Sequence, residues 1–185
     1  MQTGDILLFD ERPNGCLRCL DNFIKFFTCS KFSHSALIVV DPPWTNLKGV
    51  YVWESSWHGT PDPQDKRVKF GVQLTPLTFY TERYPGDVTI YHRRAPKRVA
   101  ERLQQELTRI HTLVYDKPYD YNPCHWIEVW CRCSRRQDRS FFCSAFVVFV
   151  LNEAGVVTAN WDNFTASDLQ RYPSTYGKTT MLRIS

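Results

Sequence analysis

The apolar residues of this chain follow two spacings, and each predicts a different kind of element. Short unbroken or alternating runs predict strands: Gly4 to Phe9, His34 to Val40 with its stop at Asp41-Pro42-Pro43, Val50 to Ser55, Val72 to Leu74, and Asp87 to His92 after Pro85-Gly86. Spacings of three and four predict helices. After Asn14-Gly15, residues Leu17, Leu20, Phe23, Ile24 and Phe27 recur on one side. Val99, Leu103, Leu107, Ile110 and Leu113 do the same in Pro96 to Leu113, with the proline early, where its missing N–H costs nothing. Ser140 reads as the cap of an almost wholly apolar helix running from Phe141 to about Ala154 and closed by Gly155. Thr165 to Leu169 reads as a capped helical turn, and Thr180 to Ile184 as a last short strand.

Strands and helices mixed in this order indicate an α+β protein, and 185 residues suit a single domain spanning 1–185. At 43% hydrophobic and 23% charged residues the composition is that of a globular chain with a real core. Lys117 to Pro123 breaks the long helix, and the stretch at about 124–139 looks like an insertion rich in cysteine and arginine. The net charge of +4 is concentrated in Arg93, Arg94, Lys97 and Arg98, and in Arg132, Arg135, Arg136 and Arg139. Such clusters suit a solvated surface or a peripheral contact with an anionic membrane; without a nucleic-acid motif they predict no specific nucleic acid partner.

The first residues lack the basic and apolar regions of a secretory signal, and the longest apolar run, Phe141 to Leu151, is too short to span a membrane. The expectation is a soluble protein of a reducing, cytoplasmic compartment. Seven cysteines leave at least one unpaired there. Cys16-x-x-Cys19 with Cys29, and Cys124-His125 with Cys131 and Cys133, could be read as metal ligands, but neither set has paired zinc-ribbon spacing. No metal and no cofactor is expected.

A cysteine in an apolar helix is ordinarily core packing. Cys143 differs by its place in the first turn, where unpaired N–H groups and the positive end of the helix dipole stabilise a thiolate. A nucleophilic thiolate needs a base, and His34 opens an otherwise apolar strand. Of the other histidines, His58 lies in a Gly/Pro loop, His125 in the insertion, and His92 and His111 at a strand end and a helix surface. Glu54 can accept the second N–H of His34 if the two strands pair so that they face. Tyr119 or Tyr121 could add a hydroxyl, with nothing in the spacing to choose between them.

In order, these elements resemble a known family. The first strand is of the GDI type, and Ser33-His34-Ser35-Ala36-Leu37-Ile38-Val39 opens the next on Ser-His. Trp53-Glu54-Ser55 ends a third, a Lys-Pro-Tyr-Asp turn follows, and Phe142-Cys143-Ser144 begins a helix closing on Asn152-Glu153-Ala154-Gly155. Together they are similar to the circularly permuted NlpC-type, papain-like superfamily, especially its YiiX-like and poxvirus branch, from Gly4 to Leu169. The resemblance implies an antiparallel sheet bearing the histidine packed on the helix bearing the cysteine. It implies Cys143 as nucleophile, His34 as base, Glu54 as orienting carboxylate and Tyr119 as pocket tyrosine, with the histidine preceding the cysteine as the permutation requires. It further implies a cysteine hydrolase or peptidase cutting a peptide or isopeptide amide through a thioester. Alternatives are an acyltransferase or phospholipase of the lecithin:retinol acyltransferase type acting on lipid, and a catalytically silent binding module. The poxvirus likeness points to a viral protein in host cell or virion.

Overall fold

Alternation of side chains along each strand sends successive residues to opposite faces, and here both faces are covered, which is why the strands read as unbroken apolar runs. The computed structural model describes residues 1–11, 31–83, 88–120 and 140–182. Among them are six strands: β1 (Ile6–Glu11), β2 (His34–Val40), β3 (Val50–Ser56), β4 (Gly71–Pro76), β5 (Val88–Arg93) and β6 (Thr180–Met181). Three helices accompany them: α1 (Leu77–Arg83), α2 (Lys97–Val114) and α3 (Cys143–Glu153). Every paired neighbour is antiparallel, in the order β4-β3-β2-β1-β5-β6. The protein is therefore α+β, as its pattern predicts. No described helix is long and apolar enough to cross a membrane.

Ile6, Leu8, Leu37, Val39, Trp53, Val72 and Leu74 face α2 and α3 and form the main core with Leu103, Leu107, Ile110, Phe146 and Val150. The residues between them, Leu7, Phe9, Ala36, Ile38 and Val52, face the other way and pack with Tyr80 of α1. Helix α1 was not expected. It follows Pro76 directly at the end of β4, and a segment of seven residues carries too little periodicity to stand out from a strand's end.

Several boundaries differ from expectation, among them β1, which runs from Ile6 to Glu11 and not from Gly4 to Phe9. β4 extends to Gly71 and Pro76, and β5 runs one residue later, through Arg93. The consequential difference is at α3: Ser140 is not its cap. Phe141 pairs with the backbone of Pro118 and Asp120, so it cannot enter a helix, and the chain turns helical only at Cys143 after an extended Phe142. At its other end, Gly155 has φ of +64°, the left-handed conformation expected past a helix C-terminus. Arg102 and Arg109 of α2 donate to the Ala154 and Glu153 carbonyls there, satisfying acceptors that the helix leaves open.

Gly71 decides where α3 begins. Its φ is +152°, and a Cβ there would lie 2.2 Å from the Lys117 carbonyl oxygen. Only a glycine lets the strap of residues 117–120 cross so closely, with Val72 N–H donating to Lys117 O and Tyr119 N–H to Phe70 O. The strap in turn holds Phe141, whose carbonyl also accepts from the buried Ser55 hydroxyl at 2.8 Å. The predicted helix after Asn14-Gly15, Tyr121 and the segment 124–139 with its cysteines lie outside the described residues.

Candidate active site

β2 and β3 are paired only from Leu37–Trp53 to Val40–Val50. Beyond Leu37, residues 34–36 pair with β1 alone and residues 54–56 with β4 alone. The strands part there, and the N-terminus of α3 enters beside the parting. By strand alternation His34 and Glu54 belong to the α1 face, while Ser35 and Ser55 belong to the α3 face. The nucleophile thus arrives from one face of the sheet and meets a base rooted on the other.

Cys143, the first helical residue, is 8% exposed, and its thiol is hydrogen-bonded to the His34 imidazole. Nε2 of His34 lies 2.5 Å from Oε2 of Glu54, which leaves Nδ1 as the ring nitrogen for the thiol. Glu54 is completely buried. Sequence reasoning therefore brought together three residues that the fold does place in one chain of contacts: Cys143, His34 and Glu54.

Burial penalises charge on all three groups, yet each is shifted towards its charged form. The His34 pKa stands well above the usual histidine value: burial pulls it down, but the thiol and Glu54 outweigh that with hydrogen bonds and charge. Burial would raise the Glu54 carboxyl, and the neighbouring charge of His58 with the hydrogen bonds of His34 and His58 holds it far below the carboxylate range. Burial also raises the thiol, but His34 and then Ser35, through both N–H and hydroxyl, bring Cys143 below an ordinary thiol. The site favours a thiolate–imidazolium pair. Ser35 is completely buried, and its hydroxyl has no hydrogen-bond partner among the described residues that meets ordinary geometry.

Tyr119 is placed near this chain of contacts by its backbone. It forms a parallel bridge with Phe141, two residues before Cys143, and its ring lies between Phe70 and Phe142, at 5.3 and 6.2 Å. These contacts put it at the rim of the site.

Two further side chains that the sequence does not single out, Tyr80 and His58, also reach Glu54. The Tyr80 hydroxyl donates to both Glu54 oxygens at 2.7 and 2.8 Å, and the Nε2 of His58 lies 3.0 Å from Glu54 Oε1. The sequence reads His58 as a loop histidine, but its loop is pinned back on the sheet. The buried Asp62 accepts from Lys69 Nζ and from the Leu74 and Gln64 N–H groups. The available signal was its spacing, four residues after Glu54, at the end of a strand.

Among the described residues no group of His, Cys, Asp and Glu side chains is arranged to hold a metal ion. No family model matches the chain, and no curated protein matches it either.

Proposed function

We propose that the protein is a cysteine-dependent hydrolase of the permuted papain-like kind, acting on a peptide or isopeptide amide through a thioester. The observation that carries this reading is one chain of contacts: a thiol at the first position of a helix, hydrogen-bonded to a histidine whose other nitrogen sits on a buried carboxylate.

The Cys143 thiolate attacks the carbonyl carbon, and the carbonyl electrons move to oxygen. The Cys143 N–H, which has no acceptor within its own helix, is placed to donate to that oxyanion. On collapse the C–N bond breaks, and the His34 imidazolium proton passes to the leaving amine. Water then attacks the thioester, His34 takes its proton, and the Cys143 thiolate leaves as the acid is freed, which restores the ion pair. Glu54 keeps His34 in the tautomer and orientation that both steps need.

One observation favours a second reading for the substrate. Trp57 and Phe70 are 59% and 47% exposed, and Phe70 continues through Tyr119 and Phe142 towards Cys143. An apolar rim of this kind suits an acyl-lipid ester and a peripheral membrane contact. Flotation with anionic vesicles separates the two substrates: a protein that floats supports the lipid, one that does not supports the amide.

The test of the chemistry is labelling by a thiol-directed acylating probe at neutral pH. Wild type is expected to label at Cys143, and His34→Ala to label at least about a hundredfold more slowly. Equal rates in the two proteins would remove the basis of the proposal.

A further inference from the structure

Glu54 serves two histidines, and the second has no place in the reaction above. The Nε2 of His58 lies 3.0 Å from Glu54 Oε1, 2.9 Å from the Tyr80 oxygen and 3.0 Å from Ser56 Oγ. Gln73 Nε2 donates to Ser56 Oγ at 2.8 Å, fixing that hydroxyl in turn.

The protons can be placed by elimination. An ionised carboxylate only accepts, and a bare imidazole lone pair 3.0 Å from it would repel it, so His58 carries its proton on Nε2. Tyr80 has a single O–H, and its oxygen is within 2.8 Å of both carboxylate oxygens. That proton is therefore shared between them. With Nε2–H of His34 on Oε2, one carboxylate receives three donors. The groups facing His58 are Glu54 and Ser56 from β3 and Phe79 and Tyr80 from α1. Those facing His34 are Glu54, Cys143 and the Phe9 ring.

Resting on the proposed hydrolase reading, we infer that His58 and Tyr80 are positioning residues that divide the Glu54 charge between two histidines and so limit how far Glu54 stabilises the His34 imidazolium. A base that must also return its proton to a leaving group works best when the proton is not held too firmly. Each added donor takes part of the carboxylate charge that His34 would otherwise meet alone.

The test reads the His34 imidazole directly, without a substrate, by NMR titration of the full chain labelled at histidine in a Cys143→Ala background. The His34 signal is assigned by its loss in His34→Gln. Tyr80→Phe keeps the ring and removes only the hydroxyl. It is expected to raise the His34 midpoint by about half to one pH unit, a fraction of the roughly one to two units that a charge-assisted hydrogen bond is worth, because the lost bond is to Glu54 and His34 feels it at one remove. His58→Ala is expected to move it the same way, and His58→Gln, which keeps an amide donor for Glu54, to bring it back towards the parent. A midpoint unchanged or lowered in Tyr80→Phe overturns the inference. Failure of the hydrolase reading would appear elsewhere, as probe labelling of Cys143 that ignores His34.

Discussion

Two carboxylate–histidine pairs lie in the same sheet, and only one of them faces a nucleophile. Asp5 Oδ2 meets Nε2 of His92 at 2.7 Å, much as Glu54 meets His34. The remaining partners of Asp5 are backbone: the Ala95 N–H at 2.8 Å and the Gln2 N–H at 3.1 Å. It ties the chain start to the β5–α2 turn, and nearby Tyr176 donates to Gly4 O. Glu54 is instead held by side chains alone, from β2, α1 and the loop after β3. A carboxylate bound by backbone fixes the path of the chain, whereas one bound by side chains fixes the orientation of those side chains. That difference separates a structural pair from one suited to chemistry.

The strongest way to break the comparison is to neutralise both carboxylates in turn. Glu54→Gln is expected to slow probe labelling of Cys143 by roughly a hundredfold, because the amide can hold His34 in the wrong tautomer. Asp5→Asn should leave labelling of the folded protein within about twofold but destabilise it by about 2–3 kcal/mol, having weakened charge-assisted bonds in a buried place. A fall in melting temperature of about 5–10 °C is the corresponding measurement. If Asp5→Asn slows labelling as much as Glu54→Gln does, the two pairs are not different in kind.

The pH dependence sharpens the same contrast with a smaller effect. Cys143 is shifted down and His34 up, so the thiolate persists below the ordinary thiol range as pH falls, and the imidazolium persists above the ordinary histidine range as pH rises. Between the two shifted values the ion pair dominates. An ordinary thiol, with a pKa of about 8.5, loses more than a hundredfold in thiolate between pH 8.5 and pH 6. Alkylation of Cys143 over that interval should fall less than about tenfold, and His34→Gln should restore the ordinary steepness. Smallest of all is Ser35→Ala, expected to lower alkylation at pH 6 about threefold, since one hydroxyl near the sulfur is lost while the Ser35 N–H remains. No change would show that the N–H alone supports the thiolate.

Much of this site could be read along the chain, and the limits of that reading follow from locality. Cys143 and His34 stand out because each interrupts an apolar element near its start, and alternation puts Glu54 on the face of β3 that carries Val52. What alternation cannot give is register, and register decides that the strands part beyond Leu37. Tyr80 was hidden for the same reason: its partner Glu54 is reached only through the β3–β4 pairing that brings α1 over the sheet. Ser140 was misread as a cap because helix-start chemistry is a local signal, whereas the pairing of Phe141 with residues 118 and 120 comes from a strap whose course depends on Gly71.

The parting of β2 from β3 also bears on when the protein becomes reactive. The base and its carboxylate lie early in the chain and the nucleophile late, on opposite faces of the sheet, so no local hairpin or helix assembles any two of the three with the thiol activated. Cys143 acquires its imidazole only once β4 has paired, the strap has crossed Gly71 and α3 has docked beside the opening. These are contacts of long sequence separation, which close late in folding. A nascent or partly unfolded chain consequently carries an ordinary, weakly nucleophilic cysteine, and its reactivity arrives with the completed fold.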